Sequence, residues 1–208
     1  MMMNNISLYL DYLFPEPRCE LIYHNDYELL ISIVLSAQTT DKRVNMVTPI
    51  LFSKYNNIDR LKEADLNDLE DILRPIGSQK KKAFYVKEIS RILSDNYNGV
   101  VPIDRDLLVK LPGVGRKTCN VFLSEFYNIP AFGVDTHVDR VSKRLGLAKK
   151  NDDVITIEKK LMKKFPKEEW GRRHLQLVLF GRYKCKSIKP DCSDCRLIDM
   201  CLEKNKNI

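Results

Sequence analysis

The sequence lacks any apolar run close to the ~20 residues that a membrane-spanning helix needs. Its first residues, Met1 to Ile6, are polar, and no apolar segment with a cleavage site follows them. Solenoid-length repeats, low-complexity linkers and strand-like alternation of apolar and polar residues are also missing. These absences exclude a membrane protein, a solenoid and a mainly β fold. We therefore expect a cytoplasmic protein, associated with the nucleoid if the source is bacterial.

Composition indicates a folded protein with a basic surface. Apolar residues make up 44% of the 208 residues, which excludes a disordered chain and suffices for one sizeable domain or two small lobes. Thirty-five Lys and Arg against 28 Asp and Glu give a formal charge of +7 and a pI near 9.0. Such a balance favours a polyanionic partner, although many basic proteins bind none.

The periodicity of apolar residues predicts an all-α fold. The segment from Glu28 to Ala37 is apolar nearly all round, as expected of a helix buried at the centre of a helical core. Residues 204–208 are predicted to form a frayed tail. Further helices are predicted over residues 43–55, 66–73, 80–96, 104–110, 116–127, 154–165 and 170–180, and one beginning near residue 135.

Two of these helices are joined by Pro112-Gly113-Val114-Gly115. Glycines in such a tight turn expose backbone N–H groups, and the positive end of the following helix dipole lies beside them. Together they predict a place for a phosphate oxygen, which would be read without regard to base sequence. The alternative is a plain glycine-capped connection between two helices.

Lys117 and Asp135 are the candidate catalytic residues. Lys117 falls in the first turn of the helix after the glycines, where the helix dipole opposes a cation and favours the neutral, nucleophilic amine. Asp135 directly precedes an amphipathic helix and is predicted to cap it while also serving Lys117 as a charge partner or proton relay. The alternatives are a solvated lysine that contacts phosphate and an ordinary helix cap.

Six cysteines in a reducing compartment are expected to be thiols or metal ligands rather than disulfides. Four fall within 17 residues and can close around one centre, which ligand chemistry leaves open between zinc and a [4Fe–4S] cluster. Cys19 and Cys119 are expected to pack as small apolar residues. The four clustered residues follow the spacing C-x6-C-x2-C-x5-C and are Cys185, Cys192, Cys195 and Cys201.

The first interval between these cysteines is basic. It contains Lys186 and Lys189, and Arg182 and Lys184 come just before it. We predict that this loop presents Lys189 to DNA phosphates, the alternative being a solvated basic loop.

Taken together, the motifs resemble the endonuclease III family from about Cys19 to Cys201. This resemblance implies two helical lobes with the active site in the cleft between them. A six-helix barrel lobe with a helix-hairpin-helix motif would cover residues 22–130, and residues 1–21 with 131–208 would form the iron–sulfur lobe. The matching segments are Leu35-Ser36-Ala37-Gln38-Thr39-Thr40-Asp41, Leu111-Pro112-Gly113-Val114-Gly115-Arg116-Lys117-Thr118, Val134-Asp135-Thr136-His137, Gly181-Arg182-Tyr183 and the cysteine pattern.

The same resemblance implies roles for individual residues. The cysteine spacing is that of the family's [4Fe–4S] cluster, which favours iron–sulfur over zinc. Lys117 would be the nucleophile and Asp135 its essential carboxylate. Gln38 matches the residue that enters the gap left in the duplex by an extruded base. Close relatives carry a bulky apolar wedge after Ile76-Gly77, whereas this chain has Ser78.

The implied activity is base excision repair of oxidised pyrimidines in double-stranded DNA by a monomeric enzyme. It would act as an N-glycosylase and as an abasic-site lyase that cuts the strand by β-elimination through a lysine Schiff base. Two alternatives are a related glycosylase without lyase activity, which would lack Lys117, and a non-catalytic helix-hairpin-helix module. The latter would keep Gly113 and Gly115 but need neither Lys117 nor Asp135.

Overall fold

The computed structural model describes residues 2–208 and confirms the all-α prediction, because no strand occurs in that range. It also contains no helix long and apolar enough to cross a bilayer within those residues. A π-helical turn, Phe180–Lys184, directly follows the last α-helix, and short 3-10 turns occur at Arg74–Ile76, Lys167–Glu169 and Ile198–Met200. The α-helices are α1 Met2–Leu13, α2 Asp26–Leu35, α3 Asp41–Lys54, α4 Ile58–Lys62, α5 Leu66–Leu73, α6 Gln79–Tyr97, α7 Arg105–Leu108, α8 Arg116–Tyr127, α9 Thr136–Arg144, α10 Val154–Lys164 and α11 Trp170–Leu179.

The chain divides into two compact units. One consists of Glu20–Tyr127, and the other of Met1–Cys19 together with Asn128–Ile208. The boundaries predicted from the sequence, 22 and 130, differ from the observed ones by two and three residues. The six-helix barrel description of the first unit stays a prediction.

The unit Glu20–Tyr127 is built around α2, whose residues from Glu28 to Leu35 are all buried. The predicted buried helix extended to Ala37, but α2 ends at Leu35 and Ala37 is exposed. The start of α2 is fixed by a reciprocal pair of hydrogen bonds. The Glu28 N–H donates to the Asn25 side chain over 3.0 Å, and the Asn25 amide donates to the Glu28 carboxylate over 3.1 Å. The first bond satisfies one of the N–H groups that a helix start leaves without partners, and the second holds the Asn25 side chain in place as the cap.

The other unit gathers α1, α9, α10 and α11 around one apolar core. From α1 this core takes Ile6, Tyr9 and Leu10, which share one helical face. A buried arginine fastens α1 to α11, because Arg173 donates to Asp11 over 2.7 Å and to Glu169 over 2.8 Å. The N-terminal segment is thus an integral part of this unit.

Two expectations at the chain ends need correction. The N-terminal residues, judged only polar, supply the first turn of α1, because the spacing of Ile6, Tyr9 and Leu10 is helical. The predicted frayed tail is wrong: Cys192 donates its N–H to the Asn207 carbonyl over 3.2 Å, and Lys206 reaches the Ile198 carbonyl over 2.9 Å. Backbone contacts across residues 192–207 hold the tail, and such contacts leave no periodic signal in the sequence.

Candidate active site

The glycine hairpin runs from α7 through residues 109–115 into α8. Gly113 has φ +77, and a Cβ placed there would lie 2.6 Å from the Tyr85 ring and 3.0 Å from Val34. Both the backbone angle and the close approach therefore require glycine at this position. At Gly115 nothing lies within 4 Å of such a Cβ. Internal packing therefore does not require glycine at position 115. The absence of a side chain there leaves the start of α8 open to a ligand.

Lys117 is the second residue of α8 and is exposed. The first N–H groups of any α-helix have no partner inside the helix and point along its axis. A lysine amine is thus placed beside a set of backbone donors suited to a phosphate group. The combination of an anion site and a nucleophilic amine at this place stays a prediction.

Asp135 is the N-cap of α9 and is half-buried. Its Oδ1 accepts the N–H groups of His137 over 2.9 Å and of Val138 over 2.8 Å. These two bonds fix the orientation of the carboxylate. Lys117 and Asp135 belong to different units of the chain.

Two arginines on one face of α9 were missed by the sequence analysis. Arg140 donates to the carbonyl of Gly181 over 2.7 Å and to that of Cys185 over 3.1 Å. Arg144 donates to the Cys185 Sγ over 3.4 Å and to the Lys186 carbonyl over 2.7 Å. Their spacing of four residues places both on one side of the helix, which is the signal that could have identified them.

The four clustered cysteines line one small cavity. None of the six cysteines of the chain is in a disulfide, and Cys119 is buried as expected of a small apolar residue. Apolar side chains, including Leu145, Phe180 and Ile198, complete the cavity wall. Within residues 2–208 no three His, Cys, Asp or Glu side chains are arranged to hold a metal ion in this conformation. The fit of a metal centre therefore rests on the shared cavity and on the four soft donors around it.

Charged groups surround this cavity. Burial raises the pKa of the Cys185 thiol, although the nearby Arg144 guanidinium favours the thiolate. Lys184 is buried and forms ion pairs with Asp191, over 2.9 Å, and with Asp194. These pairs close the loop that carries Lys186 and Lys189, so the loop has a fixed shape.

Gln38, Ser78 and Lys189, the loop residues singled out in the sequence, share a positive φ angle. Among the described residues, positive φ outside glycine occurs only at Gln38, Ser78, Lys189 and two asparagines. Asparagine tolerates this left-handed region, whereas other residues adopt it at a cost of about 1–2 kcal/mol. Strained backbone of this kind clusters at functional sites, so its coincidence with the predicted DNA-contacting loops is informative.

Lys82 is a buried residue behind the Ser78 turn. Its ammonium group donates to the Ile76 carbonyl over 3.0 Å, and burial lowers its pKa. The interaction supports the strained turn at Ser78, which precedes α6 without a side-chain cap. The sequence analysis did not single out Lys82, because a run of three lysines, Lys80 to Lys82, does not reveal which one faces inward.

Comparison with known proteins defines the class. Residues 31–167 match the HhH-GPD superfamily of base excision DNA repair proteins. The chain is 46% identical over 194 residues to endonuclease III of Bacillus subtilis, covering 93% of this chain and 89% of that protein. A solved non-covalent endonuclease III–DNA complex is 48% identical with a TM-score of 0.92, covering 97% of this chain and 95% of that chain. A trapped endonuclease III–DNA covalent intermediate, an estranged-adenine complex, is 47% identical with a TM-score of 0.92 and coverages of 97% and 96%.

The chain therefore belongs to the endonuclease III family, which confirms the resemblance seen in its motifs. It is a base excision repair enzyme, a DNA glycosylase with abasic-site lyase activity. The non-catalytic module considered from the sequence is accordingly set aside.

Proposed function

We propose that this chain removes oxidised pyrimidines from double-stranded DNA with Lys117 as the nucleophile, acting as a monomer in the cytoplasm and, in a bacterium, at the nucleoid. The observation that carries the proposal is the exposed Lys117 amine in the first turn of α8, directly after the open Gly115. A phosphate bound by the α8 amides would bring the adjoining sugar within reach of that amine.

In the first step the Lys117 amine attacks C1′ of the deoxyribose, and the bond to the base breaks with its electron pair leaving on the base. The sugar ring opens to a Schiff base between Nζ and C1′. Loss of a proton from C2′ then expels the 3′ phosphate oxygen by β-elimination. Water finally releases the unsaturated sugar aldehyde and regenerates the Lys117 amine.

Asp135 assists as a fixed carboxylate. With Oδ1 held by two backbone N–H groups of α9, the side chain has one orientation and loses no further freedom when substrate binds. Its negative charge offsets the positive charge that develops on the sugar as the base departs. It also assists the transfer of protons to the base and from C2′.

Four further residues hold the DNA. Gly113 shapes the hairpin, and Gly115 lets a phosphate approach the α8 amides. Gln38 enters the space left by the extruded base, and Lys189 contacts backbone phosphate from the loop closed by Lys184. The strained backbone at Gln38 and Lys189 supports a role for both in binding rather than in packing.

Cys185, Cys192, Cys195 and Cys201 are the proposed ligands of a [4Fe–4S] cluster. Bound there, the cluster would supply a rigid cross-link between the basic loop and the C-terminal tail. Arg144, which donates to the Cys185 sulfur, stabilises the thiolate that such a ligand must be.

Borohydride reduction tests the nucleophile, because it traps only an amine joined to the sugar as a Schiff base. Abasic-site duplex should be trapped by the wild type and not by Lys117→Gln, while Lys110→Gln, a matched exposed lysine of the same hairpin, should be trapped normally. A trapped adduct in Lys117→Gln, or loss of trapping in Lys110→Gln alone, would contradict the assignment.

Metal analysis tests the cluster separately. Protein made anaerobically with ample iron should be yellow-brown, absorb near roughly 400 nm and hold about four irons per chain. Stoichiometric zinc without iron in that preparation would contradict the assignment.

A further inference from the structure

A charged groove lies in the unit formed by Met1–Cys19 and Asn128–Ile208. The proposed chemistry does not use it. Its volume is about 890 Å³, which is in the range of ligand-binding pockets. The walls come from the end of α9, the loop at residues 146–150, the second half of α10 and the tail at residues 202–205. We call it the lysine groove.

Cationic side chains dominate the lysine groove. Arg144 is paired with Glu203, Lys143 with Asp139 and Lys160 with Asp152. Glu203 is the only acidic residue among those that line it. The other lining lysines form no ion pair with any residue in the range 2–208, and they are Lys149, Lys150, Lys163, Lys164 and Lys204.

Helix dipoles explain only part of this concentration of charge. Lys163 and Lys164 lie in the last turn of α10, where a cation is stabilised by about 0.3–1 kcal/mol. Lys149, Lys150 and Lys204 lie outside helices and gain nothing from a dipole. Together with the α10 lysines they line one groove, where an anionic ligand would be attracted to them.

The floor of the lysine groove is aliphatic. Leu147 and Ala148 form part of it, and Leu202 lies across it with 67% of its surface exposed. The Leu202 N–H donates to the Arg144 carbonyl over 2.7 Å, and its Cδ1 lies 3.5 Å from the Cβ position of Gly146. An exposed leucine is therefore held in a fixed place among lysines.

The side chains that line the groove favour an acidic peptide over single-stranded or double-stranded nucleic acid. Single-stranded nucleic acid is bound by aromatic side chains on which bases stack, and no aromatic residue lines the lysine groove. The outer surface of a duplex offers phosphate oxygens but no aliphatic group to cover Leu202. An acidic peptide with aliphatic residues matches both the lysines that line the groove and its aliphatic floor.

We propose that the lysine groove binds an acidic segment of a partner protein, with aliphatic side chains on Leu202 and carboxylates paired with the unpaired lysines. This inference is independent of the nucleophile assignment. It gives the repair enzyme a docking surface remote from Lys117 in sequence and distinct from the residues assigned to DNA.

Fluorescence polarisation with a labelled 12-residue probe tests the proposal, using the full iron-loaded chain. In the probe every third residue is Leu and the others are Asp or Glu; saturable binding with a Kd below about 100 μM is expected. Replacing the probe's leucines by serine should weaken binding at least about tenfold, because their aliphatic burial is lost.

Protein variants locate the binding site. Lys163→Gln/Lys164→Gln should weaken binding of the probe about five- to tenfold, as expected for two lost charge pairs. Lys159→Gln/Lys167→Gln, an equal charge change at exposed lysines of the same unit outside the groove, should leave the affinity within twofold. Both variants should cleave abasic-site DNA normally, so failure of docking is distinguishable from failure of the catalytic proposal.

Three results would overturn the proposal. One is no saturable binding of the probe below about 100 μM, and another is equal affinity for the leucine and serine probes. The third is displacement of the probe by a labelled oligothymidylate of the same charge whose own binding depends on Lys163 and Lys164. That result would assign the groove to nucleic acid.

Discussion

Replacing Gly113 by alanine should damage the hairpin in a way that replacing Gly115 does not. At Gly113 an alanine would have to adopt φ +77 and would lie 2.6 Å from Tyr85. The left-handed backbone costs about 1–2 kcal/mol and the overlap about 1–3 kcal/mol. The lower entropy of the unfolded alanine chain offsets about 0.4–1 kcal/mol. A net loss of about 1–4.5 kcal/mol is expected, with a middle value of about 3 kcal/mol.

Gly115→Ala is the matched control, since no atom lies within 4 Å of its Cβ position and its φ is not in the left-handed region. We expect stability equal to or slightly above that of the wild type. Binding to duplex with a tetrahydrofuran abasic analogue should nevertheless weaken at least about tenfold, because the methyl group obstructs hydrogen bonds to a charged phosphate that are worth about 1.5–3 kcal/mol.

Urea unfolding followed by circular dichroism measures the first effect, and fluorescence anisotropy the second. With a slope of about 2–3 kcal/mol/M, Gly113→Ala should lower the midpoint by about 1 M. Equal midpoints for Gly113→Ala and wild type would refute the packing argument. A Gly115→Ala protein that binds DNA normally would refute the role of the open turn as a phosphate site.

Four other predictions follow from the same structure. Gln38→Ala should slow excision of thymine glycol in single-turnover assays more than cleavage of a preformed abasic site, where no base needs extruding. Ser78→Leu should leave excision unchanged or improve it by restoring an apolar wedge; a severe defect in folded, brown protein would contradict this. Lys189→Ala should reduce the steepness of the slope of log K against log salt by about 0.9, the value for one phosphate contact. It should not alter which lesion is preferred. For Asp11, burial raises the pKa, but bonds from Arg173 and Gln176 outweigh it and leave the pKa below 3.8. The Asp11 carboxylate therefore stabilises the folded chain above the unfolded pKa of about 3.9, and this stabilisation is lost as pH falls below that value. Between pH 5 and 3 the urea midpoint of Asp11→Asn should fall less than that of the wild type, because the variant has no carboxylate to protonate.

The helices were predictable where a long periodic pattern existed. The buried α2 and the bounds of α5 and α8 follow from apolar spacing and from Gly115. Helix α1 was missed, because its three core residues are too few to stand out beside polar neighbours. The tail could not be predicted, since it is held by backbone contacts made far along the chain.

Candidate site residues could be proposed from the sequence where chemistry depends on residue type at fixed spacing. Lys117, Asp135 and the cysteines stand in local motifs that a single sequence displays. Arg144 and Lys82 act through contacts with residues that other parts of the fold supply. The strained backbone at Ser78 is likewise set by its surroundings, among them the buried Lys82, and not by its own side chain.

Mass spectrometry of the borohydride-trapped complex tests the central claim most directly. After digestion of both protein and DNA, the reduced sugar remnant should be found on the peptide containing Lys117, bonded to its Nζ, and on no other peptide. A remnant on the N-terminal amine or on another lysine, with Lys117 unmodified, would contradict the account.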